Sequence, residues 1–218
     1  MGRPRLSIGV LSLVLSLFLS IPVFGAQADR WEIGARFNVV TAGGEPANDI
    51  MSAGLFGRYR LNDRWLLGFG VDQSEYDFER PWATLGLQQD TAVEVIDTST
   101  SATALSVWAE REYARPGKRL RWFWSGGLGF TSPDVDDVSG PIEGGGTFNI
   151  TTDPGSEVIV SGTGGLRLPF AKRWVFDFQL RVDHHLADWE VTDTVSGLTT
   201  TLDDYTGLGG SLALSFRF

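Results

Sequence analysis

From Arg30 onward, apolar side chains return at every second position in segment after segment, separated by stretches rich in Gly, Asp, Asn and Pro. Successive residues of an extended strand point to opposite faces, so this alternation predicts strands with one apolar and one polar face. Eight such segments are read from the sequence. The first, 30–40, carries Trp31, Ile33, Ala35, Phe37 and Val39 on its apolar side. The second, 51–61, carries Met51, Ala53, Leu55, Gly57, Tyr59 and Leu61, and the third, 65–73, carries Trp65, Leu67, Phe69 and Val71. The fourth, 103–113, shows Thr103, Leu105, Val107, Ala109 and Tyr113, interrupted by Arg111. The fifth, 120–130, shows Leu120, Trp122, Trp124, Gly126, Leu128 and Phe130. The sixth and seventh, 158–170 and 174–186, follow with Val158, Val160, Leu166, Leu168 and Phe170, then Trp174, Phe176, Phe178, Leu180 and Val182. The eighth is 206–218.

Each segment is close to the 9–11 residues that a tilted strand needs to cross a bilayer. The connections alternate in length. Those at 62–64, 114–119 and 171–173 are short, whereas 41–50, 74–102, 131–157 and 187–205 are long. A soluble sandwich has no reason to place every long connection at one end. A membrane barrel does, because its periplasmic turns are short and its outer loops long. The pattern therefore predicts an all-β chain: a closed, eight-stranded, antiparallel up-and-down transmembrane barrel. Within the long connections, 91–98 and 189–202 are rich in Val and Thr and are expected to extend strands beyond the bilayer. Arg60 to Trp65 and Pro169 to Trp174 form a weak repeat, a basic turn directly before Trp, as two hairpins of one architecture would give.

The first residues set the expected compartment. Arg3 and Arg5 precede an apolar run over 8–23, and Ala26-Gln27-Ala28 offers a small-x-small cleavage site. This order predicts a secretory signal peptide over 1–28 and a barrel domain over 29–218. The run is shorter than the roughly 20 residues of a spanning helix. At the other end, Leu212, Leu214, Phe216 and Phe218 alternate with small or polar residues.

Aromatic residues add detail. Trp31, Trp65, Trp122 and Trp174 begin strands on the apolar face, and Tyr59, Tyr113, Phe170 and Phe218 close strands at the same end. Together they predict one girdle of an aromatic belt at headgroup depth. Charge is segregated as well. The chain has 18 Lys and Arg against 27 Asp and Glu, a net charge of −9. Most carboxylates fall in the long connections, where Arg80 is the only cation. An acidic outer surface argues against nucleic acid as a partner, since that recognition needs cationic patches. Divalent cations bridging Asp134, Asp136 and Asp137 to lipopolysaccharide are one expectation, although the spacing is not that of an EF-hand loop. The chain has no Cys, which excludes a disulfide scaffold and thiolate metal ligation. No cofactor and no metal centre are expected.

The polar faces should line the lumen. They contain Glu32, Arg36, Arg58, Arg60, Glu110, Glu112, Arg121, Arg167, Asp177, Arg181, Asp183 and Arg217, together with Asp72. The interior of eight strands is only wide enough for side chains. Charges confined there must pair. An ion-pair network filling the lumen is the expectation, with a narrow gated path at Glu110 and Glu112 against Arg58, Arg60 and Arg121 as the alternative. The only histidines, His184 and His185, lie near Asp183 and Asp188, with Ser161 and Thr163 on the preceding strand. A nucleophile and base could be assembled from these. However, alternation sends the two imidazoles to opposite faces, so no catalytic set is expected.

The alternating segments, the leader pattern and the final Leu212, Leu214, Phe216 and Phe218 resemble the small outer-membrane β-barrel family, of the OmpA transmembrane domain, OmpX and OmpW type. The comparison with OmpA is expected to stop at the barrel. The resemblance implies residence in the bacterial outer membrane, contact with membrane lipid and lipopolysaccharide, and a monomeric state. It also implies that the terminal aromatic strand is an insertion signal for the barrel-insertion machinery. A structural or surface-interaction role is the leading expectation. A narrow solute channel and a lipid-modifying enzyme are the alternatives.

Overall fold

The structure is a computed structural model that describes residues 30–43, 50–80, 96–114, 119–141, 146–202 and 204–218. The expected signal segment and the acidic positions Glu45, Asp49, Asp90, Glu94, Glu143 and Asp203 lie outside them. Twelve strands follow in order: β1 Trp31–Gly43, β2 Ile50–Arg60, β3 Trp65–Arg80, β4 Ile96–Ala114, β5 Arg121–Val135, β6 Val138–Pro141, β7 Thr147–Asp153, β8 Glu157–Pro169, β9 Trp174–Leu186, β10 Trp189–Asp193, β11 Leu198–Leu202 and β12 Tyr205–Arg217.

Eight of them close a barrel in the order β1-β12-β9-β8-β5-β4-β3-β2. Every neighbouring pair is antiparallel, and β1 seals against β12 from Glu32 opposite Arg217 to Gly43 opposite Thr206. The seam ends in reciprocal backbone hydrogen bonds between Trp31 and Phe218, which leaves no open edge there. Closure matters in lipid, where no water is present to satisfy free backbone groups. The short-turn end is locally encoded. Asn62 accepts hydrogen bonds from the backbone N–H groups of Arg64 and Trp65 through its side-chain oxygen, fixing the turn between β2 and β3.

The usual hydrophobic arrangement is inverted. Outward-facing Val107, Leu180 and Leu208 are 59%, 61% and 65% exposed, while inward-facing Arg58, Glu110 and Asp177 are nearly inaccessible. An apolar band of this extent, wrapped around a charged interior, is a lipid-facing surface.

The outer end departs from the bounds read from the sequence: the third segment, expected to end at 73, runs on to Arg80 as β3, paired with β4 back to Ile96. The stretches 131–157 and 187–205 contribute β6, β7, β10 and β11, which form a second sheet in the order β11-β10-β7-β6. Its sequences, such as TFNITTD and LTTTL, are rich in β-branched residues that favour extended backbone. The β10–β11 turn needs Gly197, whose φ of 74° lies in the left-handed region. Asp193 fastens this turn to β7. Its carboxylate accepts hydrogen bonds from the backbone N–H of Asn149, Val195 and Ser196 and from the Ser196 hydroxyl. Burial opposes its charge, yet these donors hold its carboxyl below the ordinary range.

Candidate functional site in the lumen

Alternation delivers inward side chains from every barrel strand to two levels of the lumen. The lower level lies near the short turns. Here Arg58 from β2 approaches Asp177 of β9 at 2.7 Å, Glu32 of β1 at 3.3 Å and Glu110 of β4 at 3.5 Å. Arg167 from β8 bonds Asp177 through two nitrogens at 2.9 and 3.0 Å, contacts Glu110, and lies 3.2 Å from Glu112. Glu112 also meets Arg60 at 3.0 Å and Arg121 at 2.9 Å. Arg217 closes the ring on Glu32 at 2.6 Å. Nine of the twelve charged residues picked out by alternation thus share one connected layer: Glu32, Arg58, Arg60, Glu110, Glu112, Arg121, Arg167, Asp177 and Arg217. Phe56 and Phe123 sit against the Arg58 and Arg167 guanidiniums, each 4.7 Å from the ring centroid, so the cations are walled by aromatic faces as well as by carboxylates.

The expected gate paired Glu110 and Glu112 with Arg58, Arg60 and Arg121. The structure puts Arg167 between the two glutamates, a central position that strand-by-strand reading could not assign because it depends on barrel closure. Gly68 leaves space for the inward ring of Trp108, whose atoms occupy the place a side chain would take. Trp108 in turn covers Arg36 at 4.9 Å.

The remaining three residues lie at the upper level, towards the long connections. Arg36 is ion-paired with Asp72 and donates to Ser106 at 2.9 Å, and Arg181 pairs with Asp183 at 2.6 Å. One residue here is placed differently from expectation. Glu157, read as part of an outer loop, opens β8 with its side chain buried in the lumen. His185, for which no catalytic part is expected, is also buried. Its Nδ1 lies 2.9 Å from Glu157 Oε2, and its ring stacks on Tyr205 at 4.3 Å. His184 points to the other face and meets Thr206 at 2.9 Å. Ser161 stands opposite Asp183 rather than His185 in the β8–β9 register.

On the outside, girdle aromatics pair along the short-turn end. Trp31 and Tyr59 lie 4.9 Å apart, Trp174 meets Phe216 at 5.3 Å, and Trp65 meets Trp124 at 5.9 Å. Trp124 donates to the Tyr113 hydroxyl, while Trp122, Phe170 and Phe218 are exposed at the same end. Arg111, which interrupts the apolar face of β4, rests over Trp65 and Tyr113 at 5.6 and 5.2 Å. Leu212, Leu214 and Phe218 of the terminal segment face outward.

This architecture has counterparts among solved structures. The outer membrane protein OprG from Pseudomonas aeruginosa superposes with a TM-score of 0.63 at 9% identity, over 89% of this chain and 98% of that one. Neisserial surface protein A gives a TM-score of 0.53 at 14% identity, over 88% of this chain and all of the other. No protein-family model and no curated protein sequence matches the chain. The likeness is one of fold, and the fold is that of the small bacterial outer-membrane β-barrels.

Proposed function

We propose that the protein is a sealed surface barrel of the bacterial outer membrane, anchored by its apolar band and presenting the outer sheet to its surroundings. The observation that carries this reading is the charged layer of the lower lumen. Arg58, Arg167, Glu32, Glu110, Glu112 and Asp177 are each no more than 2% exposed, and the layer is crosslinked from five or more strands. Such a layer leaves no space for a hydrated solute and acts as a plug. The role that remains is at the surface. Among the described residues, β6 and β11 each pair on one side only, and free strand edges of this kind capture extended segments of partner chains. Lipid and lipopolysaccharide surround the barrel in this reading. The leader over 1–28 directs export, and Leu212, Leu214, Phe216 and Phe218 serve as the insertion signal.

Conductance across planar bilayers tests the seal. The purified protein is expected to insert without current steps. Discrete steps that change in Glu110→Gln would overturn the plug in favour of a narrow gated channel.

A further inference from the structure

Above the charged layer the lumen opens into a chamber of about 60 Å³, space for a few water-sized groups. Its walls are inward positions of barrel strands, and its polar lining includes three carboxylates. Asp72, Asp183 and Glu157 contribute carboxylates, and Asn38, Ser52, Ser74 and Thr131 contribute neutral groups. Arg181, His185 and Tyr205 complete the set of titratable and charged side chains that face it. Asp72 is neutralised by Arg36 and Asp183 by Arg181. Glu157 is left with His185 alone. Glu157 is thus the carboxylate of the chamber that no guanidinium among the described residues compensates, and a buried charge without such a partner is costly.

Two acceptor atoms in this chamber are also unsatisfied. Glu157 Oε1 and Asn38 Oδ1 are buried without a hydrogen-bond partner, although the rest of each side chain is fixed: Glu157 by His185, Asn38 by Ser52 at 2.8 Å. Buried orphan acceptors call for a donor. An oxygen-caged metal ion does not fit, since no cluster of three or more His, Asp or Glu able to hold one is found among the described residues. The stacked His185 and Tyr205 rings, 14° from parallel, supply an aromatic wall suited to a cation with N–H or C–H bonds. Trp189 of β10 is buried against Ala102 and Ile50, which themselves line the chamber.

We propose that this outer chamber binds a small primary ammonium cation, held by Glu157 and Asn38 against the His185–Tyr205 wall. The site lies on the outward side of the charged layer, so it does not depend on whether the barrel conducts.

The two histidines provide the readout. Protein labelled with ¹⁵N-histidine is prepared in lipid nanodiscs at one fixed pH. It is titrated with methylammonium chloride, and in parallel with tetramethylammonium chloride at equal ionic strength. A saturable shift of the His185 imidazole signals with methylammonium alone, with outward-facing His184 unmoved, is expected. Glu157→Gln, which keeps the shape and removes the charge, should weaken binding at least tenfold. An absent His185 shift, an equal shift with both salts, or an unchanged titration in the variant each overturns the proposal. The wild-type comparison of the two salts decides the matter even where the variant does not fold.

Discussion

The lower and upper levels of the lumen are built from the same residue types on the same strands, yet they treat charge differently. In the lower level every carboxylate touches more than one guanidinium, and Arg58 and Arg167 each bridge three carboxylates. In the upper level Arg36 with Asp72 and Arg181 with Asp183 are separate pairs, and Glu157 has no arginine among the described residues. The difference is one of connectivity. A connected layer fixes each side chain from several directions, whereas an isolated pair leaves lone pairs open to water or ligand. The lower level is thus the rigid element and the upper level the chemically open one.

Removing the hub of the lower level should have the largest effect. Arg167→Met leaves Glu110, Glu112 and Asp177 short of a partner in a buried setting, and breaking a buried pair this way costs about 3–5 kcal/mol. The urea midpoint of reversible unfolding in lipid vesicles should fall accordingly. The second test is Arg181→Gln, which disturbs one pair in the upper level. A loss of about 1.5–3 kcal/mol is expected in the same assay. Equal losses for Arg167 and Arg181 would sink the distinction between the levels. Arg121 sits at the rim of the lower level with its side chain 29% exposed, and its partner Glu112 keeps two other arginines. Arg121→Gln should therefore cost less than about 1 kcal/mol.

The smallest effect is expected outside the barrel. Asp193→Ala removes the acceptor that ties the β10–β11 turn to β7, so amide exchange at Val195 and Ser196 should speed up several-fold while the barrel unfolds as before. The carboxyl of Asp193 is held below its ordinary value, so its stabilising contribution is complete above the unfolded value of about 3.9 and is lost as pH falls through the lower folded value. Acidification from about pH 7 to 5 should leave the turn's exchange unchanged once the intrinsic pH dependence of amide exchange is divided out. An acceleration already in that window would assign the support to another group.

Much of the barrel was legible because the strand period is local. The outward set on β9, from Trp174 through Phe176, Phe178, Leu180 and Val182, is written as plain alternation, and its range was read without error. Glu157 was misplaced because it follows Pro154, Gly155 and Ser156, residues that signal a loop until Thr131 of β5 is present to pair with it. The extra length of β3 and β4 escaped for a related reason. Tyr76 to Arg80 is acidic at every second position and ends in a cation, and its pairing with 96–100 is a property of two segments together.

The sequence by itself determined which side chains face lipid and which face the lumen, because the pleat of a strand follows from adjacent residues alone. Only the tertiary structure decided which inward charges meet. That depends on the register of eight strands and on the closure of β1 against β12, which brings Arg217 to Glu32 across almost the whole chain. Closure also separates a saturated layer from an unsaturated chamber, since a partner can satisfy a buried charge only from the level at which register places it.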